Sequence, residues 1–97
     1  MHVKQNKIKQ STQLNKMIGQ FIRESRLAKS LSGAEFGKLI NVSQQQVSRY
    51  ENGVTSLSIE ALDNIFSALG INWSDFYQKI FHVHDDDFIV NSKKRVS

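Results

Sequence analysis

Residues 31–53 read LSGAEFGKLINVSQQQVSRYENG, and the fold turns on how this stretch is punctuated. Ser32 stands three residues before Glu35, the spacing of a capping box, in which each side chain satisfies the other's orphan backbone amide. The helix it opens carries Phe36, Leu39 and Ile40 on one face and stops near Asn41. Ser43 repeats the device with Gln46 and opens a second short helix that buries Val47 and Tyr50. That helix ends at Asn52-Gly53, where glycine takes a left-handed backbone at no steric cost. Only Asn41 and Val42 are left between the two helices, so the chain must turn sharply there.

Outward from this stretch the apolar residues keep helical spacing. Leu14, Ile18 and Ile22 form an i, i+4 row with Met17 and Phe21 beside it, which predicts a helix over 14–29. Ser58 is placed to cap a further helix carrying Leu62, Ile65, Phe66 and Leu69 and closed by Gly70. Asn72 and Asp75 form another candidate capping box, ahead of a helix with Trp73, Phe76, Tyr77, Ile80 and Phe81. None of these helices is long enough to stand alone in water, so the five must share one core. The expected fold is all-α, a compact five-helix bundle over residues 14–81. Residues 1–13 read as a basic flexible arm, and residues 82–97 as a C-terminal tail whose "FIV" is a possible short strand or dimer contact.

At 97 residues the chain has the size of one small domain. It contains no cysteine, which removes disulfides and thiolate metal sites and fits a reducing compartment. The absence of a long apolar run and the polar first 13 residues argue against a membrane span and a secretory signal. The net charge of +4 is unevenly spread: residues 1–30 hold seven Lys or Arg against one Glu, whereas residues 54–81 sum to −2. Such a basic third suits a polyanionic or acidic partner, with simple solubilisation as the plain alternative. Nothing resembles a glycine-rich phosphate loop or a spaced set of histidine and carboxylate in the folded core, so no enzyme, catalytic residue or cofactor is expected. "HVHDDD" at 82–87 offers His82, His84, Asp85, Asp86 and Asp87 but no well-spaced further ligand, and reads as a solvated run with no metal.

The same stretch, followed by LSIEALDNIFSALGI at 57–71, resembles the Cro and C1 repressor (XRE) family of helix-turn-helix proteins. The capping serine, a β-branched residue four positions on, serine, an aromatic residue, glutamate and glycine stand at that family's spacing, and the likeness runs from about Ile18 to Phe76. The resemblance implies a lambda-repressor-like fold in which residues 33–40 are the positioning helix and residues 44–51 the recognition helix, laid in the major groove of duplex DNA. Gln44 and Gln45 then lie on its first turn, where a glutamine amide pairs bidentately with adenine N6 and N7. Ser48 and Arg49 lie one turn on, Arg49 suited to guanine O6 and N7 or to a phosphate. Gln46 is better placed to return to the Ser43 amide.

The resemblance further implies that Arg26, which extends the 18, 22 row where an apolar residue is expected, forms a structural ion pair with Glu51. Arg23, Lys29, Lys38, Asn52, Thr55 and Ser56 are candidate phosphate contacts. Two positions depart from the family pattern. Gly33 stands where a glutamine commonly contacts a phosphate and braces the first recognition residue, so Gln44 is expected to be less rigidly held. Gly37 stands where alanine is usual; it still permits close approach of the two helices but weakens its helix by about 1 kcal/mol relative to alanine.

The implied function is a sequence-specific double-stranded DNA-binding transcriptional regulator, most simply a repressor reading a pseudopalindromic operator as a homodimer. Its interface would come from the fifth helix and the tail, with Trp73, Tyr77, Phe81 or Phe88 supplying apolar bulk. The setting would be bacterial or phage cytoplasm, at the nucleoid. The alternative is a protein-interaction module, an antitoxin subunit or anti-repressor with a protein partner. A looser likeness, in size and general pattern, is to small regulators encoded with bacterial fimbrial operons.

Overall fold

The computed structural model describes residues 2–81, with side-chain surroundings from residue 13 onward. Five helices follow one another, α1 (His2–Ala28), α2 (Gly33–Ile40), α3 (Gln44–Glu51), α4 (Ile59–Leu69) and α5 (Trp73–Ile80), with no strand among the described residues. The C-terminal tail, including His82, His84, Asp85 to Asp87 and Phe88, lies outside the described residues.

Local chemistry sets the boundaries of α2 to α5. The Ser32 hydroxyl accepts from the Glu35 amide at 3.0 Å while the Glu35 carboxylate accepts from the Ser32 amide at 2.8 Å, so the first capping box closes on both sides. Asn41 ends α2 in a left-handed conformation, φ 60°. At α3 only half of the expected box forms: the Gln46 amide donates to Ser43 Oγ at 3.0 Å, and no return bond from the Gln46 side chain accompanies it. Ser58 and Asn72 cap α4 and α5 in the same one-sided way.

α1 departs from expectation. It begins at His2 and not at residue 14, so the stretch expected as a flexible arm is helical in backbone. No glycine or proline precedes Gly19, and lysine and glutamine are good helix formers, so nothing in the covalent chain stops the helix earlier. Its buried line also differs from the 14, 18, 22 row: Leu14 and Met17 are exposed, while Gly19, Ile22 and Arg26 face inward. Leu39, expected on the apolar face of α2, is likewise exposed.

The core joins Ile22 of α1, Phe36 and Ile40 of α2, Val47 of α3, Leu62, Ile65, Phe66 and Leu69 of α4, and Phe76 and Ile80 of α5. Phe66 is its hub, with ring centroids 4.7 Å from Trp73, 4.9 Å from Phe76 and 6.1 Å from Phe21. Trp73 is therefore partly committed to the core, and its indole N–H donates to Asp63 at 3.4 Å. This block holds α2 and α3 in place from behind and leaves the outer face of α3 uncovered.

Candidate nucleic-acid interface

Val47, Tyr50 and Glu51 of α3 bind it to the protein, Tyr50 as a half-buried ring packed against the core. Val47 is buried in the core, and one turn later Glu51 is buried against α1. Gln44, Gln45, Ser48 and Arg49 fall on the other side of this eight-residue helix, and all four are exposed. Gln46 is half-buried at the flank. The turn that sets α3 against α2 is pinned by the Val42 amide donating to the Gly37 carbonyl at 2.8 Å.

The Glu51 anchor is the central piece of electrostatics. Arg26 Nε donates to one carboxylate oxygen at 2.7 Å and Nη2 to the other at 2.9 Å, while Nη1 donates to the Leu31 carbonyl at 2.8 Å. The guanidinium fork is thus bidentate to the end of α3 and also holds the loop that enters α2. The hydrogen bond to Glu51 raises the Arg26 pKa above its ordinary value; burial opposes the rise and the carboxylate's charge adds to it. One cationic side chain therefore fixes both helices of the motif relative to α1.

Above this pair lies a polar notch of about 200 Å³, walled by Arg23, Gly33, Gln44, Ser48 and Asn52. Gln44 lies across the start of α2: a Cβ added to Gly33 would be 3.5 Å from its Cγ, an ordinary contact. The Asn52 side-chain amide donates to Ser48 Oγ at 3.2 Å, which leaves the Ser48 hydroxyl proton available to an outside acceptor. Arg23 and Asn52 are thus brought together with Gln44 and Ser48. The other phosphate candidates are scattered. Lys38 is exposed on α2. Lys29 directs its ammonium toward the end of α4, where a Cβ at Gly70 would stand 3.4 Å from Nζ. Thr55 Oγ1 is buried without a hydrogen-bond partner, so its hydroxyl is not presented outward. Ser56 Oγ accepts from the Asn15 side chain at 3.3 Å.

Two contributors went unmarked in the sequence reading. Asn15 ties α1 to the loop after α3, and Gly19 lets the α1 backbone meet the end of α3. An isolated glycine inside a helical pattern was the available signal for the second; nothing marks the first. Among the described residues no group of three or more histidines and acidic side chains is placed to hold a metal, and no helix is long and apolar enough to cross a membrane.

A short capped pair of helices, the second anchored at its end and polar on its outer face, is the defining unit of a helix-turn-helix protein. The helix-turn-helix family matches residues 22–76, and the chain belongs to it, with the Cro/C1-type pattern that its sequence resembles. The chain is similar to the antitoxin PezA of Streptococcus pneumoniae, 36% identical over 59 residues that make up 61% of this chain and 37% of that one. It is also 35% identical over 65 residues to the uncharacterized HTH-type transcriptional regulator RP497 of Rickettsia prowazekii, covering 67% of this chain and 50% of the relative. It thus spans about half or less of the length of these curated relatives. Among solved structures, the clp gene regulator ClgR of Corynebacterium glutamicum aligns with a TM-score of 0.65 at 27% identity, over 69% of this chain and 87% of that one.

Proposed function

We propose that the chain is a sequence-specific regulator of transcription that reads duplex DNA through α3. The observation that carries this reading is the division of α3 into a face locked by Val47 and the Arg26–Glu51 pair and a face of four exposed hydrogen-bonding side chains. Gln44 and Gln45 suit adenine and Arg49 suits guanine, each good bidentate pair discriminating by about 1–3 kcal/mol. Ser48 supplies a further donor. Arg23 and Asn52 hold the flanking phosphates, with Lys38 and Ser56 as the remaining candidates; Lys29, turned toward α4, and Thr55, its hydroxyl buried, are left out of this reading. Binding of this kind represses where the site overlaps a promoter. No catalytic group enters this reading.

One α3 spans only a few base pairs, so the reading includes a homodimer with its two recognition helices about 34 Å apart on one face of the duplex. The exposed rims of Trp73 and Phe81 on and after α5 support that interface. The site of action is the cytoplasm, at the nucleoid. The test is selection of bound fragments from a random duplex library, sequenced at two salt concentrations. An inverted repeat that persists at the higher salt, with half-site centres one helical turn apart, is the expected result; weak, pattern-free, salt-sensitive binding would overturn it.

The likeness to the antitoxin PezA favours one second reading, a module whose main partner is another protein. Tight one-to-one capture of a partner in the absence of a selected DNA site would favour it. None of the relatives named bears on the looser likeness to regulators of fimbrial operons.

A further inference from the structure

We propose that the N-terminal half of α1 is a helical arm that lies along the DNA backbone outside the bases read by α3. This rests on the reading of α3 as the recognition helix. Three observations on this chain meet here. First, α1 is continuous from His2, so residues 2–14 form a helical segment on the order of 20 Å long at about 1.5 Å per residue.

Second, the arm leaves the folded core at the loop that follows α3. A Cβ added to Gly53 would lie 2.7 Å from the Cα and N of Lys16, so the two backbones are in direct contact. The Asn15 side chain donates to Ser56 Oγ in the same loop. With α3 in the major groove, this loop lies beside the phosphate backbone, and the root of the arm is fixed there with it.

Third, the composition of the arm suits a polyanion. No acidic residue occurs before Glu24, lysines stand at positions 4, 7 and 9, and most of the remainder are amide or hydroxyl residues. Val3, Ile8 and Leu14 do not recur at i, i+3, i+4, i+7, so the segment has no stripe with which to join a protein core. Lys4 and Lys7 are also like charges one turn apart, an arrangement that opposes the helix and whose cost nearby phosphates would relieve. The arm therefore extends the contact beyond the reach of α3 and adds affinity without base selectivity.

The test uses the full chain and two duplexes carrying its selected site, one ending at the outermost selected base pair and one with about one further helical turn of arbitrary sequence on each side. Anisotropy titrations at several salt concentrations should show tighter binding and a steeper salt slope on the longer duplex. The combined Lys4→Ala, Lys7→Ala and Lys9→Ala variant should lose that gain, its slope falling by about 0.9 for each lost phosphate contact, with base preference unchanged. Thr12→Pro, which kinks the helix near its root, should lose the gain as well. Equal affinity of the wild type for both duplexes overturns the arm, as does a gain that survives the triple substitution; a gain that survives Thr12→Pro overturns its helical form. Failure of the arm alone leaves selective binding to the short duplex intact. Failure of the underlying reading shows instead as no selectivity on either duplex, and takes this proposal with it.

Discussion

Gly19 of α1 stands against the carbonyl oxygen of Tyr50 so closely that a Cβ added to it would lie 2.5 Å away, and equally close to the carbonyl oxygen of Glu51. Both obstacles are backbone atoms at the end of α3, which cannot swing aside as a side-chain tip does. Gly19→Ala gains helix propensity of up to about 1 kcal/mol but must displace α3 or α1, a strain of about 1–3 kcal/mol or more. The net effect expected is a lower melting temperature, read by circular dichroism, together with weakened DNA binding because α3 shifts relative to the notch. An unchanged or raised melting temperature would show that the two helices part without cost.

The Arg26–Glu51 pair is next to that contact and is buried on both sides. Glu51→Ala leaves a buried guanidinium with only the Leu31 carbonyl as partner, and Arg26→Ala leaves a buried carboxylate. Each single change should cost about 3–5 kcal/mol in urea unfolding. The double change Arg26→Met with Glu51→Leu should recover most of that loss, since a well-packed apolar pair often matches a buried ion pair. Single variants that unfold no more readily than wild type would mean that water reaches the pair freely.

Much of this architecture was legible because caps and glycines are local signals. Ser32 with Glu35, Ser43, Ser58, Asn72, Asn41 and Gly70 bound α2 to α5 where the sequence pattern places them. The start of α1 was not legible, because apolar periodicity is the sequence signal for a helix and the first turns of α1 carry no apolar stripe. Leu14, Met17 and Leu39 were misplaced for a related reason: a helix with apolar residues on two faces does not say which face meets its neighbours. On the outer face of α3, the exposure of Gln44, Gln45, Ser48 and Arg49 follows from Val47 and Glu51 being held inside. Lys29 and Thr55 show the limit of choosing phosphate contacts by charge or loop position, since one ammonium points to α4 and one hydroxyl is buried.

Gly37 reverses an expectation drawn from propensity alone. A Cβ there would lie 2.6 Å from the Val42 carbonyl oxygen, in the turn between α2 and α3. Glycine in this chain is therefore more than a weak substitute for alanine. Gly37→Ala should lower stability, the overpacking strain of about 1–3 kcal/mol exceeding the propensity gain of about 1 kcal/mol. A chemical denaturation midpoint that moves upward would restore the propensity argument.

Glu35 gives the fold a modest acid sensitivity. Its carboxylate is exposed, and the hydrogen bond from the Ser32 amide, with the Ser32 side chain second, holds its pKa below the usual carboxylate value. In the unfolded chain the group titrates at its ordinary, higher value, so between the two values the unfolded state holds the extra proton. Its contribution is full above the unfolded value and is lost as pH falls through the folded one. Glu35→Gln should be less stable than wild type near neutral pH, and the two stability curves should converge in acid. Curves that stay parallel from neutral pH to below pH of about 3 would remove the capping carboxylate as the cause.

The outer face of α3 separates two kinds of substitution. Gln45 and Arg49 are exposed on α3, whereas Lys38 is exposed on α2, the helix expected to cross the DNA backbone. Gln45→Ala and Arg49→Ala should each lower the preference for the selected site over its single-base variants by about 1–3 kcal/mol at the base they read. Lys38→Ala should weaken binding to every duplex alike and flatten the salt dependence by about 0.9 in slope if it meets one phosphate. Competition titrations against a panel of single-base variants measure both. A uniform loss from Arg49→Ala would reassign that arginine to a phosphate and leave Gln44, Gln45 and Ser48 to read the bases. A uniform loss from Gln45→Ala as well would sink the assignment of sequence reading to α3.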